Sequence, residues 1–197
     1  MKKLSTYLFL IFISFQALSM ADDINNLEIE GMSVGDSLLD YFNEKEIDDN
    51  FFIASYYEKN EKFFVYDSKK GASDNFETYD GLQLALKRND KKLIINSLVG
   101  VIDYVNKIEN CYKKQNEIVK EFSNSFSELE KNDWGILTTS SFSSDINGNY
   151  KPISFDFDNG DRIMVACYDW SPESNWTDSL KVSIYTMEYR DFIYSRK

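Results

Sequence analysis

Between Asn106 and Leu129 the apolar residues Ile108, Cys111, Tyr112, Ile118, Val119, Phe122 and Phe126 recur at steps of three and four, with Lys and Glu between them. That period predicts the main helix of the chain, one face turned to a core. Elsewhere the period is two. Leu82, Leu84 and Leu86 alternate with Gln83 and Lys87, Asn89-Asp90 supplies a turn, and Lys92 to Ile102 follows as a longer apolar strand, making an antiparallel pair. Lys62 to Asp67 has the aromatic and β-branched content of a strand, and residues 68 to 75, with Gly71, read as a loop. After Trp134-Gly135 four more strands are predicted, at about 136–143, 151–157, 162–168 and 180–185. Asn147-Gly148 and Asn159-Gly160 read as two-residue hairpin turns, since both residues of such a turn need positive φ.

The remaining segments predict short helices. Residues 22 to 31 form a polar lead-in, after which Ser33 is an N-cap with Asp36 three residues on, and Val34, Leu38, Leu39 and Phe42 make a helical stripe to about Asn43. The stretch Ile47 to Tyr57 fits a strand or the buried face of a second short helix, and helix is the reading adopted. Thr186 caps a closing helix, Met187 to Tyr194. Strands therefore come in runs, in the order α(α)βββ-αββββα, which predicts an α+β fold: antiparallel sheet, one or two abutting, with helices packed on one face. Residues 22–197 read as a single domain whose halves, about 33–104 and 105–197, have similar element order. No Gly-rich phosphate loop supports a doubly wound nucleotide-binding fold.

Lys2 and Lys3, an apolar run from Tyr7 to Leu18, and Ser19-Met20-Ala21 before Asp22-Asp23 have the order of a secretory signal peptide, residues 1–21. The run falls short of the ~20 residues that span a bilayer, and no later segment is long and apolar enough, so no membrane span is expected after cleavage. Only Arg88, Arg162, Arg190 and Arg196 of the 22 basic residues are arginine, and Asn, Ile, Phe and Tyr abound, the bias of an AT-rich genome. The expected address is periplasmic or secreted. In that oxidising setting Cys111 and Cys167 are expected to form a disulfide. Cys111 lies on the apolar helix stripe, and Cys167 alternates with Ile163 and Val165. A two-residue turn at Asn159-Gly160 would, however, set Phe155 opposite Met164 and send Cys167 to the other side of the sheet. Either the hairpin is longer or the bridge is absent. The sequon Asn175-Trp176-Thr177 reads as chance.

Charge and composition narrow the chemistry. With 33 acidic against 22 basic residues and a net charge of −11, the chain repels polyanions, so nucleic acid is not an expected partner. Histidine is absent, which removes Ser-His-Asp and Cys-His catalysis and His-ligated metals, and two cysteines are too few for a thiolate metal centre. No cofactor is expected. Asp156, Asp158 and Asp161 are the most site-like carboxylate run, three within six residues, of the type that holds calcium. Counted from Asp156, however, the EF-hand glycine and bidentate Glu positions hold Asp161 and Cys167, so the run reads as a hairpin tip. The loop Asp169 to Asp178 gathers Trp170 and Trp176 with Asp169, Glu173 and Asp178, aromatic platforms beside acids that suit a sugar or a glycosidase pair. Trp134 reads as a core plug at a strand start. The 15 Phe and 13 Tyr exceed what so small a core can bury, which predicts a surface patch of the kind that marks a partner site.

The stretches 29–42 (IEGMSVGDSLLDYF), 109–126 (ENCYKKQNEIVKEFSNSF), 155–170 (FDFDNGDRIMVACYDW) and 178–186 (DSLKVSIYT) resemble a group of uncharacterised secreted proteins from AT-rich marine alphaproteobacteria. That resemblance implies a shared fold and assigns no activity to particular residues. More distantly, Gly31-Met32-Ser33, the Leu38-Leu39 helix and three strands resemble the opening of the SmpA/OmlA and β-lactamase-inhibitor-like superfamily, whose members are non-catalytic and bind other proteins in or near the envelope. Their helix ends in a Gly-x-Pro step, which Phe42-Asn43-Glu44 lacks. The expected function is a non-catalytic binding protein whose partner is another envelope or extracellular protein. The alternative is a small carboxylate-dependent glycan hydrolase or carbohydrate-binding module using the 169–178 loop.

Overall fold

The period-two segments pair side by side into one antiparallel sheet. The computed structural model describes residues 24–54, 56–58, 61–69, 76–105, 107–139, 147–174 and 176–195. The expected signal peptide, the loop at 70–75, the second half of the strand expected at 136–143 and Asn175 of the sequon lie outside them. Among the described residues there are nine strands: β1 Phe51–Ala54, β2 Phe63–Ser68, β3 Gly81–Lys87, β4 Ile95–Asp103, β5 Glu130–Asp133, β6 Leu137–Thr138, β7 Gly148–Asp156, β8 Arg162–Trp170 and β9 Ser179–Tyr185. The helices are α1 Glu44–Asn50, α2 Ile108–Ser125 and α3 Met187–Ser195. The sheet runs β1-β2-β3-β4-β9-β8-β7-β5, with β6 also on β7. Each run of strands thus ends at the centre, where β4 and β9 pair from Ser97↔Tyr185 to Asp103↔Ser179.

This is the expected α+β architecture, but the helices do not share one face as expected: α2 and α3 pack on opposite sides of the sheet, because the strands bury apolar residues of both parities. On one face α2 buries Cys111, Gln115, Ile118, Val119 and Phe122 over β8 and β9. The inward residues of the strands, among them Leu82, Leu84, Leu98, Ile153, Phe155, Ile163, Val165, Leu180, Val182 and Ile184, complete that core. Gln115 fixes helix to sheet with polar precision: its Nε2 donates to the carbonyls of Lys151 at 2.6 Å and Val165 at 2.9 Å. Across a corner of the opposite face lies α3, whose Tyr189 packs with Phe63, Val65, Ala85 and Tyr185. Thr186 caps α3 as expected, accepting from the Tyr189 N–H at 3.3 Å.

Local chemistry accounts for the departures. The lead-in at 22–31 is not peripheral, since Ile24, Leu27 and Ile29 are buried, and Glu30 accepts the backbone N–H groups of Glu77, Thr78 and Tyr79. The helix expected from Val34 to Asn43 is reduced to one turn, Leu38–Asp40, capped by Ser37. Gly35 sits at φ +91, and the N–H groups of Gly35 and Leu38 go to the carbonyls of Ile95 and Leu93, so long-range bonds replace the helical ones. The expected helix at Ile47 to Tyr57 divides. Asn43 and Glu46 close a capping box on α1, and Phe51–Ala54 then leaves as a strand on β2. The strand expected from Lys92 starts at Ile95, because Asp90 takes the N–H groups of Lys92 and Ile94. β5, Glu-Lys-Asn-Asp, has no apolar alternation to announce it and forms through pairing with β7.

Neither Asn-Gly pair makes a two-residue turn. Gly148 is already in β7, opposite Trp170. At the other, Asp156 faces Arg162; inside that pair the Phe157 N–H donates to Asp161 O at 3.0 Å and the Gly160 N–H to Phe157 O at 2.9 Å. Gly160 stands at φ +88. This is the three-residue loop with glycine in the left-handed position. It sets Phe155 opposite Ile163 and turns Cys167 to the α2 side, where it is bonded to Cys111 with Cα atoms 6.0 Å apart.

The bridge spans a sequence separation of 56, for which loop-closure entropy gives about 4 kcal/mol. Cys111→Ala/Cys167→Ala is expected to lose about 2–4 kcal/mol in a denaturant titration. Reductant should lower the wild type to the same midpoint and leave the double variant unmoved.

Candidate functional site

Alternation along β8 sends Cys167 and Asp169 to the α2 side and Tyr168 and Trp170 to the other. In register with them, Tyr150 of β7 lies opposite Tyr168, and Gly148 opposite Trp170. The result is a row of four rings. Tyr150 and Tyr168 stack at 5.5 Å between centroids and 12° between planes, Tyr168 and Trp170 at 5.5 Å and 19°, and Trp170 leans on Trp176 at 5.9 Å and 35°. Gly148 is required beneath Trp170, because a Cβ there would stand 2.7 Å from Asp169 O. Asp178 fastens the loop carrying Trp176, its Oδ1 accepting the Trp170 N–H at 2.9 Å.

Pro152 shapes the neighbouring edge. Its carbonyl accepts from the Trp134 N–H at 3.2 Å, so its nitrogen also faces the edge strands, and it has no hydrogen to give them. The ladder is therefore broken there, between β5 and β6, and the chain swings out at Gly135, φ +67. Trp134, expected as a core plug, is half exposed instead, held by its Nε1–H on Ser154 Oγ at 3.3 Å. Trp134 and Trp176 are 50% and 46% exposed, so both keep apolar surface open to solvent.

One cation lies beside the rings. Lys181 Nζ is 5.0 Å from the Tyr168 ring centroid and donates to Gln83 Oε1 at 3.1 Å. Gln83 Nε2 donates in turn to Asp67 Oδ2 at 3.0 Å and Tyr56 OH at 3.1 Å, and Tyr56 OH donates to Asp67 at 2.9 Å. Burial pulls the Lys181 pKa below its ordinary value, against the opposing pull of Asp67 and Asp103.

The expected site residues divide between the two faces. Trp170 and Trp176 come together, as do Asp169 and Asp178, and the two pairs meet only where the Trp170 backbone N–H donates to Asp178. Asp169 lies on the helix side, where burial and then Asp178 raise its pKa and both acids help raise that of Tyr112. Glu173 is exposed on the loop. The three hairpin carboxylates are each engaged separately. Asp156 pairs with Arg162 and accepts from Asn132 Nδ2 at 2.9 Å, and Asp161 accepts from the Met187 N–H at 2.7 Å and Asn159 Nδ2 at 2.7 Å. Asp158 points to solvent. Among the described residues no three Cys, Asp or Glu side chains group closely enough to hold a metal ion. Tyr150, Tyr168, Lys181 and Gln83 escaped the sequence reading, because only strand register brings them beside Trp170. Compared with known protein families, with curated proteins and with solved structures, the chain matches none.

The site has a pH signature. Burial holds the phenols of Tyr168, Tyr185 and Tyr189 above their ordinary 10.0. Unfolded, they ionise near 10.0, so above that pH the native state binds more protons and stability falls, by about 1.4 kcal/mol per pH unit for each such tyrosine. Lys181 acts oppositely: between its lowered folded pKa and the ordinary 10.5 the unfolded state binds more protons, so its share of stability rises with pH. Denaturation midpoints taken from pH 8 to 11 should drop above pH 10, and unfolding there should add tyrosinate absorbance from the buried phenols. Lys181→Met should flatten the profile below pH 10.

Proposed function

We propose that the protein is a periplasmic or secreted, non-catalytic binding protein that docks another envelope or extracellular protein on its aromatic face. The row Tyr150, Tyr168, Trp170, Trp176 carries this reading, with half-exposed Trp134 held to Ser154 farther along β7. Tyr and Trp give large rigid contact area with few side-chain torsions to freeze, and they are enriched where proteins meet. The address rests on the N-terminal order of Lys2-Lys3, apolar run and small residues, and the superfamily resemblance points to protein binding as well.

The geometry favours a protein over a sugar. A sugar stacks on an open ring face. Here Tyr168 and Trp170 have their faces taken up by neighbouring rings, and Lys181 sits over Tyr168. Hydrolysis is disfavoured for a related reason: Asp169, the acid with the raised pKa, lies on the opposite face of the sheet from the rings.

Site-specific photocrosslinking in native-host extract tests this. A crosslinker at Trp176 should give one discrete protein adduct, absent when the crosslinker replaces Lys113 on the exposed side of α2. Once that partner is isolated, Trp134→Ala/Trp176→Ala should weaken its binding by roughly 30-fold or more, the effect of losing one strong aromatic anchor. Equal adducts from both positions would overturn the proposal. Saturable quenching of tryptophan fluorescence by an oligosaccharide, without any adduct, would replace it with the carbohydrate-binding alternative.

A further inference from the structure

Among the described residues the sheet ends on two strands that are built differently. β5, at one end, reads Glu-Lys-Asn-Asp, and such charges are what keeps an edge from pairing with foreign strands. β1, at the other end, reads Phe-Phe-Ile-Ala and carries no charge. Phe52 is 47% and Ile53 56% exposed. An exposed apolar edge strand offers unpaired backbone groups together with side-chain contacts, the elements of strand addition.

Beside that edge is a cleft of about 640 Å³ lined by Ile53, Phe64, Glu61, Lys62, Lys87 and Arg88, with Asn89 at its rim. Its charge is opposite to that of the molecule. Lys62 and Lys87 share a single carboxylate, Glu188, at 2.7 and 2.6 Å. Among the described residues Arg88 has no carboxylate partner: its guanidinium lies 5.5 Å from the Phe64 ring centroid, one terminal nitrogen donates to the Glu58 carbonyl at 3.3 Å, and the buried Nε–H has no acceptor. Three cations against Glu61 and Glu188 leave a local positive excess in a chain of net charge −11. Nε is closed to solvent, so an incoming carboxylate would bond the terminal N–H groups of Arg88 that Glu58 leaves unused.

We propose that β1 and this cleft are a strand-addition site for an extended acidic peptide segment of a partner protein. The segment pairs its backbone with β1, lays apolar side chains against Phe52 or Ile53, and places a carboxylate at Arg88. A second copy of the chain fits less well, because two molecules of charge −11 repel one another. The site is separate from the aromatic face and stands or falls independently of it.

The probe is a fluorescein-labelled Val-Glu repeat hexapeptide, compared with its Val-Lys counterpart and with a Val-Glu peptide N-methylated on alternate residues. The Val-Glu peptide should bind saturably and slow amide exchange at residues 51–54, while the other two do not bind. Arg88→Gln should weaken binding about 10-fold, the loss of one charge-assisted hydrogen bond, and added salt should weaken it further. Ile53→Asp, a change at an exposed position that preserves the fold, should abolish binding. Unchanged thermal unfolding would confirm that both variants fold. The proposal is overturned if Val-Glu and Val-Lys bind alike, if neither binds, or if Ile53→Asp has no effect. Concentration-dependent dimerisation that Ile53→Asp removes would overturn it in favour of self-pairing.

Discussion

The register of β7 on β8 is the constraint on which both faces of this molecule depend. Because side chains alternate with period two, a shift of one residue would exchange the faces of a whole strand. The three-residue loop closed by Gly160 fixes Phe155 opposite Ile163, and three consequences follow from that one pairing. Cys167 meets Cys111 on α2, Tyr168 meets Tyr150 on the other side, and Asp156 meets Arg162 beside α3. Disulfide and aromatic row are therefore the two sides of one register. Gln115 reinforces it, since its amide donates to a carbonyl on each of the two strands and cannot reach both if they slip. The helix thus reads the register from one face while the rings are displayed on the other.

Long, strongly periodic elements were legible in the sequence for the same physical reason that they are stable. The α2 stripe, the Leu82-Leu84-Leu86 alternation and the α3 cap each state a local preference that the tertiary structure agrees with. Segments misread were those where a long-range partner wins over local preference. The N–H groups of Gly35 and Leu38 are taken by carbonyls that open and precede β4, those of Ile95 and Leu93. Phe51–Ala54 becomes a strand because β2 is there to pair with it, and Glu130–Asp133 because β7 is. None of these partners lies within reach of a local window.

The candidate site was half legible. Trp170 and Trp176, six residues apart on one loop, were visible as a pair, and their contact is real. Tyr150 and Tyr168 are 18 positions apart in sequence and join them only through register, which the Asn-Gly signal misdirected: it proposed a two-residue turn where a glycine in the left-handed position of a longer loop was needed. The acids of the loop were visible too, but a sequence window cannot say that Asp169 must leave the sheet on the side opposite Trp170 unless the strand is known to extend through both. Since β8 does run to Trp170, adjacency in sequence becomes separation across the sheet.

The same sheet also explains why exposed apolar residues gather where they do. A sheet with helices of unequal length on its two faces cannot be covered evenly: α2, 18 residues long, covers one face, whereas α3, with nine, covers only a corner of the other. What α3 leaves bare is lined by rings and by a lysine whose charge burial penalises. At the edges the chain uses opposite devices. Pro152 interrupts the outer ladder of β7 and pushes Trp134 outward, and charges guard β5, while β1 has neither proline nor charge. The two edges are therefore kept apart from foreign strands by different means, charge on β5 and shortness on β1, whose four residues leave an apolar surface that charge would have removed.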